Sequence, residues 1–259
     1  MRTPLLILCI LALGAAASAG QPELLPDASL RLEASRYAPV ETDLHWDSWI
    51  GGGTSLVRWD AATAYLTADL ETVLGNTRRT FDATQANYHL EVGGWLKLGE
   101  KEVSVFFNHV SRHVVDRPKP EAVDWNVLGA RVMAPLPRWL AASGRVTLGV
   151  GHTTQESSVG YRWEVTARVE ADLVGRGSTR LYATADARLV TAEPSPRFPR
   201  GDFVDFNAEG GVRFSNGARA LQFFAAFDHR NDVFVETPGV RDRAQFGFRI
   251  GVGPSSPLP

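Results

Sequence analysis

Between Ala86 and Leu98 two kinds of side chain alternate without a break. Ala86, Tyr88, Leu90, Val92, Gly94, Leu96 and Leu98 share one parity, and Asn87, His89, Glu91, Gly93, Trp95 and Lys97 the other. Successive side chains of a strand point to opposite faces, so a period of two predicts an extended segment with one apolar and one polar face. The pattern returns at 64–74, 161–173, 181–189 and 204–214, and more weakly at 126–136, 145–155, 220–230 and 244–252. No helical period appears in these segments. Strands of soluble sheets usually run about 5–6 residues, whereas a strand that crosses a bilayer needs about 9–11. These runs have the longer length. The expected fold is therefore all-β, a closed antiparallel transmembrane β-barrel, in which closure pairs every backbone group without leaving an edge in lipid.

The connections agree with that reading. Tight turns are expected at 60–62, 99–101, 175–178 and 215–217, with a longer one at 135–144. Longer polar loops are expected at 75–85, 115–124, 156–160, 191–202 and 231–243. Short turns at one end and long loops at the other are the habit of outer-membrane barrels. Counting 30–38 and 50–58 as strands gives about twelve, and omitting them about ten. Either even number returns both termini to one side. Gly51, Gly52 and Gly53 make this early part the least regular.

Composition alone would suggest a soluble globule, with 44% hydrophobic and 22% charged residues and a net charge of −2. The weak charge gives no basis for nucleic-acid binding. The one long apolar run is Leu5 to Ala17, after Arg2 and before Ala17-Ser18-Ala19, which is the arrangement of a secretory signal cleaved near Ala19. Cys9, the only cysteine, lies within that run and follows Leu8 rather than a small residue, so neither a lipoprotein anchor nor a disulfide is expected. The chain divides into a signal peptide (1–19), a periplasmic N-terminal segment (20–28), the barrel (29–253) and a short tail (254–259). The expected location is the outer membrane of a Gram-negative-type bacterium.

On the polar faces, Asp69, Glu71, His89, Glu91, Glu164, Arg168, Asp186, Arg188, Glu209 and Arg213 mix both signs. In a small barrel such residues are expected to fill the lumen as ion pairs, the alternative being a selectivity filter. Tyr88, Trp125, Trp139, Tyr161 and Trp163 fall near strand ends, where aromatic girdles meet the headgroups. His45, His152 and His229 stand alone and require no function.

The most unusual local sequence is Phe106 to Pro118, which contains His109, Ser111, His113 and Asp116. The first three share one strand face with Val103, Val105 and Phe107. This run resembles the His-x-Ser-Ser-His-Leu-Gly-Asp signature of a bacterial outer-membrane barrel family, the domain of unknown function 1207. Arg112, Val115 and Arg117 depart from that pattern. Weaker likenesses lie at 24–27, 53–59 and 82–88. The resemblance implies a fold and a location, and no reaction.

A second, partial resemblance is to lipid A 3-O-deacylases, which are outer-membrane barrels with a His-x-Ser pair on a strand. It implies an acyl-ester hydrolase in which His109 is the base, Ser111 the nucleophile, and Asp116 or Glu121 orients the imidazole. The Asn-Ala-Gly that follows the serine in that family is replaced by Arg112-His113-Val114. Two other readings use the same residues. His109, His113 and Asp116 could bind a divalent metal, although imidazoles four residues apart on a strand lie about 13 Å from one another. Alternatively, the cluster, with His113 as a binding residue, is a hydrogen-bonded cap on the strand ends. No cofactor is implied. The expected partner is outer-membrane lipid, any small-molecule ligand is open, and the barrel is expected to be a monomer. The activity thus lies between a structural, binding or small-solute passage barrel and a deacylase-like hydrolase.

Overall fold

The structure is a computed structural model that describes residues 20–116, 118, 122–194, 201–231 and 239–253. Residues 1–19, expected to be a signal, residues 254–259 and Glu121 lie outside the described residues. The strands are β1 (Glu23–Leu24), β2 (Ala28–Glu41), β3 (Leu44–Trp59), β4 (Ala62–Gly75), β5 (Asp82–Leu98), β6 (Lys101–Val114) and β7 (Val123–Pro135). They continue as β8 (Ser143–Ser157), β9 (Tyr161–Arg176), β10 (Thr179–Ala192), β11 (Phe203–Asn216), β12 (Arg219–Arg230) and β13 (Arg241–Val252). From β2 to β13 each strand pairs antiparallel with the next, and β13 returns to β2 by pairing Ala244–Val252 with Leu30–Ala38. Twelve strands thus close the barrel. β1 extends the same ladder beside β3, Glu23 opposite Arg58.

The two ends differ as expected. Connections at 60–61, 99–100, 177–178 and 217–218 and the longer 136–142 share one end with the termini, called the turn end here. The loop end carries the longer connections, among them 76–81, 115–122 and 193–202. Two loop-end connections are shorter than the sequence suggests, and residues 158–160 alone join β8 to β9. β2 and β3 run to Glu41 and from Leu44, so only Thr42 and Asp43 join them. Near this turn the usual polarity inverts: Tyr37 and Leu44 point inward and are fully buried, while Arg36 and Ser48 face outward. Alternation of polarity fades there, and the register shift between Arg36 and Glu41 breaks strict alternation of direction as well, since Leu44 and Asp47 are both buried.

Along the barrel, the apolar parity faces outward. Leu66, Leu90, Val105, Leu148, Leu181 and Phe246 are all exposed on it. The other parity fills the lumen with pairs of opposite charge. Arg131 reaches Glu91 at 2.6 Å, Arg145 reaches Glu170 at 2.5 Å, and Arg168 reaches Asp186 at 2.9 Å. Toward the loop end two apolar clusters take over. Phe106, Val110, Trp125, Tyr161, Val190 and Phe203 belong to one, and Tyr37, Leu44 and Val73 form the other. A polar cavity of about 1030 Å³ remains on the turn side of these clusters, reaching the turn residues Gly177, Gly217 and Gly253.

The aromatic girdle needs correction. Tyr88 and Trp163 do point outward, and Trp139 stands 81% exposed in the 136–142 connection. Trp125 and Tyr161 instead point into the lumen, where their rings meet at 5.1 Å and carry the Arg188 guanidinium. Desolvated aromatic faces attract cations, and here that attraction holds the plug to the lumen charges.

Glycine permits the closest inward packing. A Cβ on Gly93 would lie 2.4 Å from the Tyr65 hydroxyl oxygen and 2.7 Å from the Val105 carbonyl oxygen. That hydroxyl donates to Glu91 at 2.7 Å, and the Tyr65 ring stacks on Trp95. On β7, a Cβ on Gly129 would strike the Phe106 ring at 2.4 Å. The Gly93→Ala barrel is expected to lose about 1–3 kcal/mol through overpacking, read as an earlier midpoint in urea unfolding.

Candidate functional site

β6 presents Val103, Val105 and Phe107 outward, and by strand parity His109, Ser111 and His113 share that face. The apolar outward run ends at Phe107, so the three polar residues lie beyond it toward the loop end. On β5 their cross-strand partners are Leu90, Tyr88 and Ala86, and on β7 Asn126 stands opposite His109 and Asp124 opposite Ser111. This cluster is on the lipid-facing side of the wall and does not line the lumen.

Its hydrogen bonds are directional. His109 Nδ1 and Asn126 Oδ1 are 2.6 Å apart. An amide oxygen can only accept, so the imidazole donates through Nδ1, which in the neutral ring leaves Nε2 as the acceptor. Asn126 Nδ2 donates in turn to Gln155 Oε1 at 3.2 Å. Ser111 Oγ lies 3.2 Å from His113 Nε2, and the His113 ring meets the edge of Tyr88 at 5.5 Å. Ser111 therefore sits between two imidazoles, touching one, while the other is held in a defined tautomer.

A bulge in β8 makes the Gln155 contact possible. Pairing passes from Asn126 opposite Gln155 to Val127 opposite Thr153, leaving Thr154 as the extra residue. Thr153 is buried and faces inward, so strict alternation would turn Gln155 inward as well. The extra residue turns it outward beside Asn126, the kind of re-aiming for which β-bulges are used.

Asp116 lies elsewhere. It follows the end of β6 with a positive φ of 54°, and its carboxylate is 3.5 Å from Arg79. Its carbonyl accepts from Arg78 at 2.6 Å. The residue that contacts His109 Nδ1 is Asn126, which sequence reasoning left unmarked. A signal for it existed, since Asn126 begins the alternating run 126–136 and shares parity with the apolar Leu128, Ala130 and Val132. The register that sets it opposite His109 is a cross-strand fact with no local trace.

A closed, twelve-stranded antiparallel barrel with an apolar outer face and a polar lumen defines the class: this is the fold of bacterial outer-membrane β-barrels. Among solved structures, outer membrane phospholipase A from Escherichia coli matches with a TM-score of 0.54 and 10% identity, covering 88% of this chain and 97% of that one. The outer membrane phospholipase of Salmonella typhi, a dimer with bound calcium, matches with a TM-score of 0.53 and 10% identity over 88% and 91%. At such identities the likeness concerns the fold alone. No family model matches the chain, and no curated protein does.

Proposed function

We propose that this barrel is an acyl-ester hydrolase acting on lipid of the membrane it spans. The observation that carries the reading is the 2.6 Å contact between His109 and Asn126 with Ser111 two residues along the same outward face. A base held by a third group, on one strand face with a hydroxyl two residues along, supplies the parts of an activated nucleophile, whose hydroxyl must close on the base when substrate binds. In this reading Ser111 Oγ attacks the ester carbonyl and its proton passes to His109 Nε2. The alcohol leaves with that proton as the acyl-enzyme forms. Water then attacks the acyl-enzyme, giving a proton to His109, which passes it to Ser111 Oγ as the Oγ–acyl bond breaks and the fatty acid leaves. In this reading His113, whose Nε2 lies 3.2 Å from Ser111 Oγ, carries its proton on Nε2 and supplies a donor to the oxyanion of both steps. Asn126 takes the orienting role expected of Asp116 or Glu121. The outward position supports lipid as substrate, because a soluble ester would have no reason to meet this face. The fold is also that of two barrels named as phospholipases.

Other parts of the reading are proposals of the same kind. They are export by a signal cleaved near Ala19, insertion as a monomer in the outer membrane with the loop end outward, and membership of the domain of unknown function 1207 family through His109, Ser111, His113 and Asp116. Mass spectrometry of envelope lipids from cells that express the wild type or Ser111→Ala tests the activity. The wild type alone is expected to generate deacylated lipid, and identical lipid profiles would end the hydrolase reading.

A second reading rests on the cavity of about 1030 Å³ at the turn end. A barrel without chemistry could hold a small polar solute there. Because apolar clusters fill the loop-end lumen, planar bilayers containing the wild type are expected to show no steady conductance. Stable channels would favour solute passage.

A further inference from the structure

One row of outward-facing residues departs from the apolar band. Ala34 on β2 lies opposite Ser48 on β3, Ser48 opposite Thr72 on β4, Thr72 opposite Ala86 on β5, and Ala86 opposite His113 on β6. The next row toward the turn end is large: Leu32, Ile50, Leu70 and Tyr88, ending at Ser111. On the other side stand Arg36, Trp46 and Leu74. From β2 to β4 small side chains between two rows of large ones make a trough in the lipid-facing wall, and across β5 and β6 the row continues through Ala86 to His113 with Tyr88 on its turn side. Its far part is a hollow of about 330 Å³ bounded by Leu32, Ala34, Ser48, Ile50, Thr72 and Phe248. Four inter-strand steps of about 4.8 Å give the trough a length of ~19 Å.

The trough slopes relative to the membrane. At β6 it begins among polar residues, three outward steps past the last apolar one, Phe107. At β2 it ends at Ala34, directly after Leu30 and Leu32 in the apolar band. It therefore descends from the level of Ser111 into the hydrocarbon. Its floor is suited to that depth, because the Ser48 hydroxyl donates to the Thr72 carbonyl at 3.1 Å and offers no unmet donor to lipid.

We propose that this trough seats one long acyl chain of a membrane glycerolipid, with the ester end at Ser111 and the chain end in the hollow beside Ala34. The occupant follows from two observations: the hollow at the far end is walled mainly by apolar side chains, and the row it belongs to runs strand by strand to His113, whose Nε2 lies 3.2 Å from Ser111 Oγ. The ester position rests on the hydrolase reading, whereas the chain seat does not.

The test uses a non-hydrolysable probe. Native mass spectrometry of the purified barrel compares hexadecylphosphocholine with octylphosphocholine, whose shorter chain occupies only the half nearest Ser111. Ala34→Leu and Ser48→Leu fill the far half with a residue ordinary for a lipid-facing wall, and heat-modifiable migration on a gel verifies that each variant folds. Each is expected to weaken hexadecylphosphocholine binding about tenfold, the equivalent of roughly two buried methylenes. Octylphosphocholine binding is expected to stay unchanged. Equal hexadecyl binding by wild type and filled variants overturns the trough, as does a matching loss for both chain lengths. Hydrolysis of long- and short-chain phospholipids is measured on the same samples. Chain-selective binding in a barrel that hydrolyses neither would sink the hydrolase and leave the seat. Hydrolysis lost in Ser111→Ala yet indifferent to the filled trough would do the reverse.

Discussion

The His109→Gln barrel is expected to hydrolyse phospholipid about three orders of magnitude more slowly than the wild type, with kcat carrying the loss. Glutamine keeps a donor beside Asn126 but provides no nitrogen able to take the Ser111 proton. Asn126→Ala removes the 2.6 Å contact and leaves the base in place. Its expected cost is smaller, about tenfold to a hundredfold, since a free imidazole still visits the productive tautomer. Asn126→Asp restores an acceptor at the same position and is expected to recover most of that loss. His113→Ala, which removes the group 3.2 Å from Ser111 Oγ, is expected to cost about a hundredfold in kcat. Turnover of a short-chain phospholipid in mixed micelles measures all four. Were Asn126→Ala to match the wild type, the orienting role would be lost and the contact would be structural only.

The largest expected effect on stability comes from Arg249. Its guanidinium meets Glu33 at 2.6 Å, Glu209 at 2.9 Å and Gln222 at 2.8 Å, and it lies 5.0 Å from the Phe224 ring centroid. Glu209 also accepts from Tyr182 at 2.7 Å, so this one cation ties together β2, β10, β11, β12 and β13. Because β13 and β2 form the closing seam, the charge network spans the joint on which barrel closure depends. Arg249→Met leaves two largely buried carboxylates without their cation, which typically costs about 3–5 kcal/mol. Urea unfolding in lipid vesicles, followed by tryptophan fluorescence, is expected to show that loss. Adding Glu33→Gln and Glu209→Gln to Arg249→Met is expected to return most of it, because the uncompensated charges are gone. A shift below about 1 kcal/mol in Arg249→Met would mean that water already screens the cluster.

The legibility of these features in the sequence varied for physical reasons. Strands such as 86–98 and 161–173 were readable because lipid outside and charge inside impose opposite polarities on successive residues. Where both faces meet the same environment the signal fails. At the loop end of β2 and β3 the lumen is apolar, so Tyr37 and Leu44 point inward and the strands extend past the alternating stretch. The same inversion explains Trp125 and Tyr161. Near strand ends an outward aromatic and a plug aromatic look alike in sequence, and only the filling of the loop-end lumen separates them. His109, Ser111 and His113 were visible as one face of one strand, but which face they occupied was not. Val103, Val105 and Phe107 share that parity and are ambiguous, since Phe106 and Val110 on the other parity are equally apolar.

By itself the sequence determined that this chain forms long two-faced strands, in an even number near twelve, with charge on one side and hydrocarbon on the other. Those are properties of residues two apart on one chain, and they follow from strand geometry alone. The tertiary structure decided everything that depends on residues distant in sequence coming together. Closure of β13 on β2 gathers Arg249, Glu33 and Glu209. The register of β6 against β7 sets Asn126 beside His109, and the β8 bulge turns Gln155 toward Asn126. Pairing across five strands lines up Ala34 with His113. Hydrogen-bond ladders fix register to a single residue, and a slip of one would send each of these side chains through the wall to the opposite face.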